Sequence, residues 1–497
     1  MAELIQSLRF FVPEALLIVG LLLVLAVDIA LPTGTRQRRL IAAGITLLTI
    51  AAAAFVAVGG YVPIGSPVPI FQGMTVADGY GGYFKMLFLL AAAVMTVAAY
   101  ASQEIEPPRA TEFFAILLGM TLGMCLLASA NILLMIYLAL EFVSITSYIL
   151  TGFKRGDQRA AEAALKYVIY GATASGVMLF GFSYLYGLTG SLEIHEIGRG
   201  MAERLAGTAP AAEKLSLSLA AIMAFAGFAY KIAAVPFHMW CPDVYEGAPT
   251  PVTALLSVGP KAAGFAALMR FCIAVFGTSG EPWPALLGIV AAGTMTLGNL
   301  AAIGQDNVKR LLAYSSIAHA GYMLMAVAAF SADGVAAVMF YLGIYVLMNL
   351  GAFLVVMAVR DSSAGREDIG AYHGLSQRHP LLAILMTVFL LSLVGLPPLG
   401  GFIGKFYVFA ALLRKAGVWY YLLALVGVLN SAISLYYYAR IIKAMFLTPP
   451  DAAAATPLRP ARAHLLLAMV LAVPVLGLGI YWAPLRALVE RSTLLMQ

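Results

Sequence analysis

Four ionisable side chains stand inside long apolar runs: Glu141, Lys231 five residues before Pro236, Lys261, and Lys405 just after Pro397, Pro398, Gly400 and Gly401. A charge at the centre of a bilayer costs roughly 2.5 to 3.5 kcal/mol, so such residues persist where protein or water lines them, and they mark ion paths. Lysine suits proton work because burial favours its neutral form while a nearby carboxylate favours the charged one. Moving Glu141 toward or away from Lys231 would therefore switch that lysine between holding and releasing a proton. Static ion pairs are the plainer alternative, but one acid cannot neutralise three lysines. Lys166, four residues after Glu162, reads equally as an i,i+4 surface pair or as part of the same network. His319, beside Ser315, Ser316, Tyr314 and Tyr322, reads either as a packed histidine or as support for a proton-conducting water chain. His238 follows Pro236, and two interior histidines make no case for haem. Lys85 and Arg270 fall near helix ends, where snorkelling to the membrane surface is expected.

The elements that carry these residues are set by composition. Of 497 residues, 62% are apolar and 11% charged, against about 25% charged in ordinary globular proteins. Mean hydropathy is +0.92. This excludes a soluble protein or a nucleic-acid binder despite the formal charge of +6. A spanning helix needs about 20 apolar residues, and alternating strands of about ten are not visible, so the fold class is an all-α polytopic membrane protein. Apolar runs predict fourteen helices, near 11–31, 40–60, 82–101, 113–130, 132–152, 163–187, 215–235, 252–276, 284–303, 309–330, 335–359, 381–414, 418–439 and 463–484.

Of the thirty Lys and Arg residues, sixteen fall on one side of that arrangement, eight on the other and six within or beside spans. The excess marks the cytoplasmic side and puts both termini outside. Cys125, Cys241 and Cys272 are far apart, which argues against a disulfide framework, a zinc site or an iron-sulfur cluster in this chain. The run 381–414 would be about 50 Å as one helix, far more than a hydrocarbon core of about 30 Å, so Gly395-Leu-Pro-Pro-Leu-Gly-Gly401 must break it. Pro236 breaks the seventh helix, beside Lys231. Breaks five helices apart, each with a lysine, suggest two inverted repeats, helices 4–8 and 9–13. The expected division is an N-terminal three-helix segment (1–112), two five-helix half-channels (113–276 and 277–446) and a C-terminal helix (447–497).

The stretch Val235-Pro-Phe-His-Met-Trp-Cys-Pro-Asp-Val-Tyr-Glu-Gly-Ala-Pro-Thr-Pro-Val-Thr253 closely resembles the antiporter-like membrane subunits of respiratory complex I. Asp243-Val-Tyr-Glu-Gly247 and Gly259-Pro-Lys-Ala-Ala263 resemble the N subunit rather than its L or M relatives. The resemblance extends over Ala313-Tyr-Ser-Ser-Ile-Ala-His319 and Gly400-Gly-Phe-Ile-Gly-Lys405. The chain also stops after its fourteenth predicted helix, without the lateral helix of an L-type subunit. This resemblance implies proton translocation driven by quinone reduction in other subunits of a bacterial NADH:quinone oxidoreductase, with NADH, FMN, iron-sulfur clusters and quinone in those partners and no cofactor here. It implies a multi-pass protein of the cytoplasmic (inner) membrane, among neighbouring antiporter-like and peripheral subunits and membrane lipids, without nucleic acid. Glu141 and Lys231 match the input-side pair, Lys261 the central lysine and Lys405 the lysine of the twelfth helix, with Lys166 and His319 at secondary positions. The competing readings are a multisubunit cation/proton antiporter and a passive membrane scaffold.

Overall fold

A computed structural model describes residues 2–59, 67–207, 210–277, 282–450 and 458–493. It is nearly all helical, as the composition requires. The N-terminal segment holds α1 (Ala2–Phe10), α2 (Val12–Ala30), α3 (Arg36–Val58) and, after a hairpin of β1 (Val68–Ile70) and β2 (Thr75–Ala77), α4 (Gly79–Ala101). Next come α5 (Ala110–Ser129), α6 (Leu133–Thr151), α7 (Gln158–Thr189), α8 (Ile194–Ala206), α9 (Ala211–Ile232), α10 (Trp240–Gly247) and α11 (Thr250–Phe271). Then follow α12 (Trp283–Ile303), α13 (Val308–Val327), α14 (Ala332–Ser362), α15 (Leu375–Arg378), α16 (Pro380–Val394) and α17 (Gly400–Leu413). The chain closes with α18 (Val418–Phe446), α19 (Arg462–Ile480) and α20 (Ala483–Thr493).

Among the described residues twelve helices are long and apolar enough to cross a membrane. The expected fourteen crossings would add α13, made more polar by Arg310, Ser315, Ser316 and His319, and the shorter apolar pair α16 and α17. Helix starts leave unpaired N–H groups, and polar side chains satisfy them. Asp78 accepts from Gly81 N at the start of α4 (2.7 Å), Asp157 from Arg159 N before α7 (3.0 Å) and Asn307 from Arg310 N before α13 (3.0 Å). Every residue of α11 is buried, as is most of α14, so these two helices form the centre of the bundle. Small residues allow close helix approach in a membrane, where packing rather than water drives association. A Cβ at Gly298 of α12 would lie 2.6 Å from Ala318 N, and one at Gly321 of α13 2.6 Å from Met295 N.

Both predicted breaks are present. α9 ends at Ala233 in the left-handed conformation (φ 59°) and the chain resumes as α10 seven residues on. α16 ends at Gly395 (φ 88°) and resumes as α17. The expectation that the chain stops after the fourteenth predicted helix is corrected: α20 follows, its apolar signal diluted by Arg486, Glu490 and Arg491 and its Val489 buried. The hairpin, α8 and α10 were also not expected, being too short or too amphipathic to register as apolar runs.

Candidate functional site

Pro398 has no N–H with which to bond the carbonyl of Val394 four residues earlier, so continuing α16 would leave that carbonyl free. Lys405, in the second turn of α17, reaches back and takes it: Nζ donates to Val394 O at 2.7 Å and to Ser431 Oγ of α18 at 3.0 Å. The ammonium also sits 4.6 Å from the centroid of the Tyr322 ring. The break thus supplies a neutral oxygen to a lysine that is 4% exposed.

Lys231 occupies the last turn of α9 and is likewise buried. Its Nζ donates to Ser144 Oγ of α6 at 3.0 Å. Glu141 is one turn earlier on α6, and its Oε1 is buried without a hydrogen-bond partner. The structure therefore brings the expected pair to neighbouring positions, with the lysine on the hydroxyl and no ion pair to the acid among the described residues. Gly264 of α11 makes room for the lysine stem, since a Cβ there would lie 3.2 Å from Lys231 Cβ.

Lys261, at the centre of α11, donates to Ser316 O of α13 at 2.6 Å and also to Ser316 Oγ. Tyr345 of α14 donates to that hydroxyl at 2.9 Å. One turn along α13, His319 Nδ1 is 2.6 Å from Tyr341 OH and Nε2 is 3.3 Å from Tyr438 OH, and Tyr438 is also hydrogen-bonded to Ser315. Two hydrogen-bonded groups on neighbouring turns of α13 therefore draw in α11, α14 and α18, and the His319 and Tyr345 rings meet between them at 5.3 Å. The sequence reading missed Ser144, Tyr341, Tyr345 and Tyr438. Their signal was there in principle, since a tyrosine in an apolar run needs a partner for its hydroxyl, and Tyr341 and Tyr345 share a helix face.

The other candidates lie elsewhere. His238 is in the link between α9 and α10, with Nδ1 buried and unpartnered. Lys166 is partly exposed in the third turn of α7, 2.7 Å from Glu162 and 2.9 Å from Asp243, so the i,i+4 pair forms together with a second, long-range one. The expectation that Lys85 and Arg270 snorkel is corrected. Lys85 is buried against Glu14 at 2.7 Å, and Arg270 against Asp78 at 2.9 Å, because acids from α2 and from the start of α4 meet them inside the bundle. Lys309, at the start of the helix expected over 309–330, is buried too, 3.1 Å from Glu367.

Above Lys309 opens a cleft of about 870 Å³, lined among others by Glu104, Arg155, Arg159, Lys309, Arg360 and Glu367. Arg360 joins Glu104 (3.2 Å) to Glu367 (2.9 Å), and Glu104 accepts from Thr250 N at the start of α11 (2.9 Å). Burial alone would raise the pKa of Glu367, but Lys309 and Arg360 outweigh it and hold the carboxyl below its ordinary value. Among the described residues no three His, Cys, Asp or Glu side chains gather as a metal site would need.

A profile of the family described as NADH:quinone oxidoreductase/Mrp antiporter, transmembrane, matches residues 130–434. The NADH-quinone oxidoreductase subunit N of Anaeromyxobacter sp. (strain Fw109-5) is 48% identical, the alignment covering 99% of this chain and 97% of the relative. The chain belongs to the NADH:quinone oxidoreductase/Mrp antiporter family. Within this family a second high-coverage relative is also an N subunit: subunit N 2 of Sorangium cellulosum is 47% identical over 99% of this chain and 98% of the relative. In solved structures, respiratory complex I from Thermus thermophilus contains a chain 34% identical with a TM-score of 0.78, over 96% of this chain and 98% of that one. The Mrp complex from Dietzia sp. DQ12-45-1b shares the antiporter fold at 22% identity and TM-score 0.82, over 98% of this chain and 97% of that one. The family match includes Glu141, Lys231, Lys261, His319 and Lys405 and leaves out Glu14 and Lys85.

Proposed function

We propose that the chain is the proton-translocating N subunit of an NADH:quinone oxidoreductase, passing protons along Glu141, Lys231, Lys261, His319 and Lys405 while quinone is reduced in other subunits. One observation carries the reading. The ionisable residues sort by partner: Lys85, Lys309 and Arg270 are held by carboxylates, whereas Lys231, Lys261 and Lys405 are held by hydroxyl and carbonyl oxygens. A lysine on a carboxylate that gives up its proton abandons a buried anion, at a cost of several kcal/mol. A lysine on a neutral oxygen abandons nothing, and a serine hydroxyl can turn to donate to the free amine. The second group can cycle through both protonation states, and the first is fixed.

In this reading Lys166 is a surface clamp and His238 a secondary group beside the first break. NADH, FMN, iron-sulfur clusters and quinone belong to partner subunits, and the chain itself does no redox chemistry. It sits in the bacterial cytoplasmic membrane with both termini periplasmic, and its neighbours are antiporter-like and peripheral subunits and lipids. Residues 113–276 and 277–446 act as inverted half-channels, supported by the left-handed caps at Ala233 and Gly395 and the lysine beside each break. The test is the assembled complex with Lys261→Met, in proteoliposomes. Loss of proton uptake coupled to NADH oxidation is expected; full pumping would overturn the reading. Copurification without flavin and iron-sulfur subunits would instead favour a cation/proton antiporter.

A further inference from the structure

α10 has only eight residues, too few for a helix to hold its shape in isolation, and it lies between the irregular link 233–239 and the bend at 248–249. Its position is therefore set by what grips it. At its start Trp240 stacks on Tyr167 of α7 (ring centroids 4.3 Å apart) and donates to Tyr230 O, the residue before Lys231 (3.1 Å). At its end Gly247 approaches α7 so closely that a Cβ would lie 2.6 Å from Arg159 O. In the middle is Asp243, whose two carboxylate oxygens face different helices. Oδ2 meets Lys166 of α7 at 2.9 Å, and Oδ1 meets Arg310 of α13 at 2.6 Å.

We infer that Asp243 is a positioning residue, the pivot through which α7 and α13 jointly fix α10, and with it the break beside Lys231. The two acids of Asp243-Val-Tyr-Glu-Gly247 divide the work: Glu246 adds a second hold on Arg310 (3.0 Å), and Asp243 alone links both helices. α7 lies in the first five-helix group and α13 in the second, so this carboxylate ties the two together across α10. It is not a proton carrier, because both its oxygens are occupied by cations. The effect on turnover rests on the proton-translocation reading above, whereas the position of α10 does not.

Removing the Asp243 charge orphans neither cation, since Lys166 keeps Glu162 and Arg310 keeps Glu246, so Asp243→Asn tests the link rather than charge burial. Cys241, buried within α10, serves as the reporter, and the buried Cys125 and Cys272 as internal controls. In the assembled complex in native membranes, labelling by N-ethylmaleimide is followed by mass spectrometry. Asp243→Asn should speed Cys241 labelling about tenfold or more by loosening α10 locally, with the two controls unchanged and quinone-coupled turnover reduced. Asp243→Glu should restore slow labelling and turnover together. Labelling of Cys241 at the wild-type rate in Asp243→Asn would overturn the inference, as would a loss of turnover without faster labelling. Should Asp243→Asn fail to assemble, Lys166→Met and Arg310→Met each remove one arm, and unchanged labelling in both overturns it equally.

Discussion

Lys231 and Ser144 are joined by a 3.0 Å hydrogen bond one helical turn from the unpartnered oxygen of Glu141. The lysine thus holds a hydroxyl one turn from a carboxyl on the same face of α6, and the proposed switch is an exchange between the two. If that exchange is the switch, Lys231→Ala and Glu141→Ala should each lower coupled electron transfer by about tenfold or more while the complex still assembles. Ser144→Ala should cost less, because Glu141 remains. Blue-native gels with NADH-to-quinone activity check this, and unassembled complex in the first two variants would point to a packing role.

Lys261 separates charge from relay. Lys261→Arg keeps a cation but one that stays protonated throughout the accessible pH range, so the variant should assemble and fail to pump. Lys261→Met, of similar length and uncharged, controls for the larger guanidinium. Near-normal pumping by the arginine variant would exclude a relay at this position.

The second break offers a test at the backbone. Restoring an N–H at position 398 gives Val394 O a helical partner and withdraws it from Lys405. Pro397→Ala combined with Pro398→Ala should therefore slow proton-coupled turnover severalfold, with little change in the amount of complex. Unchanged turnover and pumping would mean that the break is only an accommodation of helix length.

The Lys85 and Glu14 pair should behave differently. Lys85→Met leaves a buried carboxylate alone, at a cost of about 3–5 kcal/mol, while Lys85→Met with Glu14→Leu removes both charges and should recover most of that loss. Thermal inactivation of the detergent-solubilised protein measures both. Pumping per electron should be unaffected in the double variant.

Glu367 gives the acid limit of the cleft above Lys309. Its folded pKa lies below the ordinary 4.5 because Lys309 and Arg360 outweigh the effect of burial. Its contribution is therefore complete above the unfolded value and is lost as pH falls through the folded one. Melting temperature should hold above pH ~4.5 and drop on acidification below it, and Glu367→Gln should flatten that dependence while lowering stability at neutral pH.

The helices were legible because a span is a local property: about 20 apolar residues in a row need no partner to be recognised. The breaks were legible for the same reason, since Pro236, Pro397 and Pro398 act on their own turn of helix. Lys231, Lys261 and Lys405 stood out as charges without nearby acids. What the sequence could not show was who meets whom. Arg270 and Asp78 are 192 positions apart, and Lys85 appeared to be a helix-end lysine because Glu14 lies on another helix. The tyrosines at 341, 345 and 438 were hidden by type, since most buried tyrosines are packing residues. α10 was hidden by length, and with it the second role of Lys166.

The two buried pairs of the N-terminal region also bear on how the chain enters the bilayer. In both, the acid is synthesised before its base: Glu14 ahead of Lys85, and Asp78 ahead of Arg270. A lone lysine leaving the insertion machinery would meet the full cost of hydrocarbon, about 2.5 to 3.5 kcal/mol. With α2 already in place, α4 arrives to a waiting carboxylate, and α11 later finds one at the start of α4. For these two pairs the order of residues along the chain doubles as an order of assembly, Lys85 docking against Glu14 and Arg270 against Asp78, whereas Lys309 precedes its partner Glu367.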